Sequence, residues 1–313
     1  MPLDAHVKGL LDMLAAANQP PISTLTAPEA REATMALGNI VAAKDVPIGA
    51  VKDGELPGPA GSIAYRLYTP VGAGNAPLPG IVYFHGGAWV FGNLESHEPM
   101  LRMLANESGC RIVSIDYRLA PEHRFPAAVE DSFAATRWIA AHAADFGIDP
   151  GRIAVAGDSA GGNLAAIVAQ LARSAGPMLK LQVLFCPVID VGADTPSRRD
   201  FAQGYFLEQA LMEWAGAFYI PPGINLKDPR LSPLWAADLS GLPPAQVHTA
   251  AFDILRDEGA AYAHALERAG VAVSYTCHDG MIHHFYAMAG AIPYGKTALQ
   301  SIGADIKAAM KPT

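Results

Sequence analysis

The chain has 313 residues, of which 51% are hydrophobic and 17% charged, with a formal net charge of −8. That is material for one large α/β domain or two average ones. The acidic charge is spread along the chain without a Lys/Arg block, which argues against nucleic acid or an anionic membrane as the main partner and favours small neutral ligands.

The first segment, MPLDAHVKGLLDMLAAANQPP, carries Asp4, Lys8 and Asp12 at helical intervals and has no basic stretch followed by an unbroken apolar run. This predicts an amphipathic helix rather than a signal peptide. No window reaches the roughly 18 apolar residues of a membrane span. No stable membrane insertion is therefore expected, and the predicted location is cytoplasmic. Cys110, Cys186 and Cys277 are odd in number and sit far apart in apolar runs, which reads as core thiols.

From about residue 61, short β-rich runs alternate with helical patterns. The runs are SIAYRLYTP, GIVYFHGG, RIVSIDYR, RIAVAGDS, LQVLFCPV, AQVHTAAFD and VAVSYTCHDG. Between them fall RMLANESG, AAVEDSFAATRWIAAHAADFG, GGNLAAIVAQLARSAG and DEGAAYAHALERAG. Such alternation with continuous apolar strands predicts an α/β fold with a mostly parallel sheet, flanked by helices on both faces. Two segments break the rhythm. Residues 1–50 read as helices and Pro-rich loop, and residues 190–235 insert a loop and one aromatic-rich helix. Connections of that length are usually lids or binding loops. Both are read as a helical cap over the sheet's C-terminal edge, leaving the core as residues 51–189 and 236–313.

Gly157-Asp158-Ser159-Ala160-Gly161 begins at the end of the run RIAVAG and opens into a helical pattern, the context of a nucleophile elbow. A strand-to-helix turn that tight needs small flanking residues and pushes the serine hydroxyl outward. Earlier, His85-Gly86-Gly87-Ala88 follows the run GIVYF. Consecutive glycines let backbone N–H groups approach a ligand closely, as an oxyanion hole requires. Gly86 and Gly87, with the amide of Ala160 after the serine, are the expected donors, and His85 is expected to brace the loop.

A neutral serine needs a general base, and the base needs an orienting group. With this elbow the chain order is serine, then Asp or Glu, then histidine. His283 and His284 in GMIHHF are the leading candidates for the base, with His278 third. Asp253 ends the run VHTAAFD and is the expected carboxylate. Asp257 and Glu258 are read instead as helix-start charges.

The strings YFHGGAW, DYRLAPEHRFPAAVED, GDSAGGNLA, DPRLSPLW, FDILRDEG and MIHHF run in order from residue 83 to 285. In them the chain resembles the bacterial hormone-sensitive-lipase-like, or family IV, carboxylesterases of the α/β-hydrolase fold. The resemblance implies a Ser159–His283–Asp253 triad. It selects Asp253 from the family's D-P-L-x-D-E-G segment, although Ile254 replaces the proline. It selects His283 from an H-G-F segment in which His284 stands where glycine is usual, and the extra imidazole is expected to point away from the triad. It also implies a cap built from the N-terminus and a later insertion, and dimerisation through the edge strand VAVSYTC. Trp89, Phe201, Tyr205, Phe206, Trp214 and Phe218 are the expected apolar lining for substrate.

The predicted activity is hydrolysis of short- to medium-chain acyl esters through an acyl-enzyme, with a small-molecule ester as partner and no cofactor. Its rivals are an amidase or lipase on the same triad, and a non-catalytic ligand-binding receptor of this fold. Two decoys are set aside. Gly290 to Thr297 spells a P-loop but follows no strand, and the His278, His283, His284 and Asp253 spacing matches no usual zinc motif, so no catalytic metal is expected.

Overall fold

A computed structural model describes residues 2–312. Its eight strands are β1 (Ala50–Gly58), β2 (Gly61–Thr69), β3 (Leu78–Phe84), β4 (Arg111–Ile115), β5 (Ile148–Asp158), β6 (Leu181–Phe185), β7 (Ala245–Phe252) and β8 (Val273–Ile282). They form one sheet in the order β1-β2-β4-β3-β5-β6-β7-β8. The α-helices are α1 (Ala5–Ala16), α2 (Ala27–Val41), α3 (Glu98–Ser108), α4 (Ala127–Ala141), α5 (Ala160–Ala175), α6 (Pro196–Asp200), α7 (Gln209–Tyr219), α8 (Arg256–Arg268) and α9 (Tyr294–Ala309). None is long and apolar enough to cross a membrane.

From β4 to β8 every neighbouring pair is parallel, whereas β1 and β2 form an antiparallel hairpin that joins through β2 to β4. The sequence reading misses β1, because VKDGELPG is polar and carries Pro57. Its nine-residue pairing with β2 along a mostly exposed edge compensates for poor intrinsic propensity.

Alternating side chains sort the core onto two faces. Val82, Phe84, Val113, Ile115 and Val155 pack in one buried cluster with residues of α4, α5 and α8. Ile81, Tyr83, Ile112, Ala154 and Phe185 pack in the other with α3 and α9. Each large side chain removed from water in this way contributes about 1.5–3 kcal/mol.

The two irregular segments divide their tasks. Within 1–50, α1 lies on the second cluster through Val7 and Leu10, with the Asp4 amide on the Gly280 carbonyl of β8. α2 and the residues flanking it come over the strand ends, with Ile22 and Ala42 lining the same cavity as residues of α2. Arg31 ties the helix down, donating to the carbonyls of Val90 and Ala120 and pairing with Glu122. The later insertion contains α6 and α7, and its anchor is a buried ion pair. Arg198 donates twice to Glu258 Oε2, while Glu258 Oε1 accepts the amides of Ile189 and Asp190. Glu258 lies in the first turn of α8, as expected, and is also a fully enclosed fastener. The P-loop-like string is a turn running into α9, with the Gly290 amide bound to the Val41 carbonyl of α2.

Removing one partner of an enclosed pair strands the other charge. Glu258→Gln should therefore lower the unfolding free energy in urea by about 3–5 kcal/mol. A second expectation concerns His248 on β7, where burial pushes the imidazole down to about 3 and His278 adds to the effect. With the folded value below the unfolded one, the unfolded chain takes up protons first as pH falls, so stability drops below about pH 6.5. At about pH 5 the His248 share of this loss should be roughly 2 kcal/mol relative to neutral pH, with His85 and His278, both pushed down to about 4, adding to it, so His248→Gln should reduce the loss by about its own share in urea titrations at the two pH values.

Candidate active site

Strand register brings the expected residues to one place. β3 pairs with β5 so that Phe84 faces Gly157, which sets His85 and Gly86 beside Asp158 and Ser159. β7 pairs with β8 so that Phe252 faces Ile282, and the next residue of each strand, Asp253 or His283, leaves the sheet beside the other. All lie at the C-terminal ends of parallel strands, the usual ligand edge of an open α/β sheet.

Ser159 has φ 55° and ψ −118°, a strained turn for a residue with a side chain. The surroundings hold it there: its amide donates to the Phe185 carbonyl at 2.8 Å, and its own carbonyl accepts from Asn163 and Val188. A Cβ at Gly157 would collide with the Gly161 carbonyl, and one at Gly161 with the Phe84 carbonyl, so the motif's glycines answer to close backbone approach.

His283 Nδ1 lies 2.7 Å from Asp253 Oδ2, and both side chains are buried. The other carboxylate oxygen accepts the Leu255 amide at 2.9 Å. Both oxygens are therefore occupied, which fixes the carboxylate and through it the imidazole. Ser159 and His283 line the same cavity, and among the described residues no hydrogen bond joins them. Catalytic hydrogen bonds are often long at rest and tighten around substrate. His278 is elsewhere, bonded to Tyr294 and His248.

His284 turns from Asp253 toward Asp158, with Nδ1 3.0 Å from Asp158 Oδ2. Its φ of 63° is left-handed, the conformation in which glycine is most at ease. Asp158 also accepts the Tyr83 hydroxyl at 2.8 Å and lies 3.3 Å or less from His97 Nε2. Burial alone would raise this carboxyl, but His97 and His284 hold it well below the usual range. Sequence reasoning misses this network. Its one visible signal is an Asp at the end of an apolar strand, since a charge enclosed there requires partners.

The oxyanion assignment needs one correction. The Gly86 N–H is donated to Asp158 Oδ1 at 2.9 Å and leans on His97 Nε2, so it is committed behind the loop. The amides of Gly87 and Ala88 have no partner among the described residues, and both residues line the cavity. His85 stacks on Tyr117 with ring centroids 4.3 Å apart, and its Nδ1 faces the Gly86 carbonyl at 2.8 Å.

The cavity over Ser159 has a volume of about 190 Å³ and is mainly apolar. Of the six expected aromatics only Phe206 lines it. Trp89 is core, stacked on Tyr219, and Phe201 and Tyr205 pack against Phe252. Trp214 donates to the Leu25 carbonyl and meets Phe218 edge-on. These rings fasten the covering segment instead of lining it. The lining comes from aliphatic residues such as Leu37 and Val41 of α2, Leu211 and Met212 of α7, and Met288. Their signal was the i, i+4 apolar stripe of α2. A more open cleft of about 460 Å³, with a more polar lining, adjoins and shares Thr34, Gly92 and Ser96.

Residues 81–287 match the α/β hydrolase fold family, well over half of the chain. The arylesterase of Saccharolobus solfataricus is 37% identical over 286 residues, covering 91% of this chain and 92% of that protein. The chain belongs to the hormone-sensitive-lipase-like esterases of the α/β-hydrolase superfamily. The carboxylic ester hydrolase LipN of Mycobacterium tuberculosis is 47% identical to this esterase over 75% of the chain, and that match spans 64% of LipN, just under two thirds of its length. An ester hydrolase from the Lake Arreo metagenome, solved with a bipyridine phosphonate derivative, superposes on the esterase with a TM-score of 0.95 at 43% identity, covering 98% of each chain. A hyperthermophilic esterase from Pyrobaculum calidifontis gives a TM-score of 0.94 at 42% identity, covering 98% of this chain and 99% of its own.

Gly87 has a φ of 121°, and a Cβ there would fall against the Phe91 carbonyl. Gly87→Ala should displace the loop and lower kcat by about 100-fold or more, the usual cost of losing an oxyanion donor. Steady-state kinetics on a soluble ester, with circular dichroism to verify folding, checks this.

Proposed function

We propose that the esterase hydrolyses short- to medium-chain acyl esters through an acyl-enzyme formed on Ser159, with His283 as base and Asp253 as its orienting group. The observation that carries this reading is the 2.7 Å contact between His283 Nδ1 and Asp253 Oδ2, placed on the same cavity as the strained Ser159 turn. Asp253 holds the neutral imidazole with its proton on Nδ1, leaving Nε2 to accept the serine proton. Ser159 Oγ attacks the carbonyl carbon as that proton moves to His283, and the carbonyl π pair becomes the oxyanion. The free amides of Gly87 and Ala88, with that of Ala160 at the start of α5, are the proposed donors to it. His283 then gives the proton to the departing alkoxide, and the alcohol leaves. Water, deprotonated by the same imidazole, adds to the acyl carbon and releases the acid and Ser159.

The dimensions of the cavity support the acyl range. Its volume of about 190 Å³ lies below the roughly 300 Å³ at which drug-sized pockets begin, and its walls are aliphatic. α2 and α7 close over the serine and serve as the cap proposed for 1–50 and 190–235.

p-Nitrophenyl esters of increasing acyl length test the reading. Activity should be highest on short chains and decline toward long ones. Ser159→Ala and His283→Ala should each lower kcat by roughly four to six orders of magnitude, and the double variant little further, because the residues act as a unit. A His283→Ala enzyme that keeps most of its rate would reassign the base.

A further inference from the structure

The proposed hydrolytic cycle leaves the cluster of His97, Asp158 and His284 without a part. Asp158 Oδ1 is occupied by the Tyr83 hydroxyl and the Gly86 amide, at 2.8 and 2.9 Å. Oδ2 faces two imidazoles, His97 Nε2 at 3.3 Å and His284 Nδ1 at 3.0 Å.

Ser96 is the partner of the far nitrogen of His97. Its Oγ donates to the Asn93 carbonyl at 2.9 Å and accepts the Asn93 amide at 2.9 Å. Its remaining contact, His97 Nδ1 at 2.8 Å, is satisfied when Nδ1 carries the hydrogen and donates it to Oγ. The Nε2 lone pair, which takes only a shared hydrogen from the Gly86 amide at 3.3 Å, then lies 3.3 Å from Asp158 Oδ2 with no hydrogen between them, a gap that a cation can fill. A metal-bound histidine is built in this way, with its far nitrogen held by an outer partner.

We propose that His97 Nε2, Asp158 Oδ2 and His284 Nδ1 bind a single Zn²⁺ ion, and that the bound ion inhibits hydrolysis. The donor atoms of these residues lie within 4.8 Å of one another. A tetrahedral zinc about 2.0–2.1 Å from each donor sets neighbouring donors roughly 3.3 Å apart. The two contacts to Oδ2 are already close to that, and the two imidazole nitrogens, within 4.8 Å of each other, must draw together to complete the set. Two nitrogens and one carboxylate suit zinc better than calcium or magnesium, which prefer all-oxygen shells. All three residues line the cavity with Ser159, so an ion held by them lies beside the space the ester must enter. An ion there, carrying its water, competes with substrate beside the Gly87 and Ala88 amides. His284 is the ligand that stands where the H-G-F pattern has glycine.

The inhibition rests on the proposed esterase mechanism, whereas the binding does not, so the two are measured separately. Chelator-treated protein is titrated with zinc chloride by calorimetry, and p-nitrophenyl acetate hydrolysis is followed in parallel, normalised to each variant's zinc-free rate. The wild type should bind one equivalent and lose activity in proportion to occupancy, with recovery on adding chelator. His284→Gly, whose backbone suits a φ of 63°, and His97→Gln should each weaken binding by about 10–100-fold or more. Cobalt(II) in place of zinc should give tetrahedral visible bands in the wild type and lose them in the variants. No binding by the wild type, or equal binding by wild type and variants, overturns the site. Saturable binding with an unchanged rate overturns the inhibition alone. A protein without esterase activity leaves the site decided by calorimetry and cobalt spectra.

Discussion

Asp158 leaves β5 one residue before Ser159 with no exposure to solvent, and groups from separate parts of the chain converge on its two oxygens. Tyr83 comes from within β3, Gly86 from the loop after it, His97 from the start of α3, and His284 from the loop after β8. A carboxylate enclosed in this way is costly unless its lone pairs are filled. Filling them draws the glycine loop, the elbow and the histidine loop onto one point. Turning the Gly86 amide inward leaves the next two amides, Gly87 and Ala88, facing the cavity. The glycine loop is thus shaped by the carboxylate that takes the Gly86 hydrogen.

Strain and support are matched around that point. Ser159 and His284 both hold positive φ angles, each costing of order 1–3 kcal/mol in isolation. The elbow is held by hydrogen bonds to β6 and by the packing of α5 on the sheet, and the His284 turn by its contact with Asp158. The cover is fixed independently. Arg31 binds α2 to the glycine loop through the Val90 carbonyl, and Arg198 with Glu258 binds the later insertion to α8, close behind Asp253. Cavity size is therefore set by two polar fasteners as much as by the aliphatic side chains that line it. Replacing a lining residue such as Leu37 or Leu211 would alter the volume without loosening the cover.

The sequence by itself determined the sheet, the strand-to-helix turn at Ser159 and the pairing of Asp253 with His283, because each has a local signature. Apolar runs of strand length, small residues about a serine, and a carboxylate and a histidine placed after late strands are all readable one segment at a time. Tertiary structure decided the rest. β1 is too polar to declare itself and exists because β2 offers it a partner. Gly86 resembles an oxyanion donor in every local respect, and only the carboxylate brought alongside by β3–β5 pairing turns its hydrogen away. The aromatics of the insertion have the composition of a binding surface, yet five of the six expected rings pack elsewhere, while unremarked aliphatics of α2 line the cavity. The physical reason is common to these cases. A residue's chemical type is written in the chain, but its hydrogen-bond partner and the face it presents depend on segments tens to hundreds of residues away.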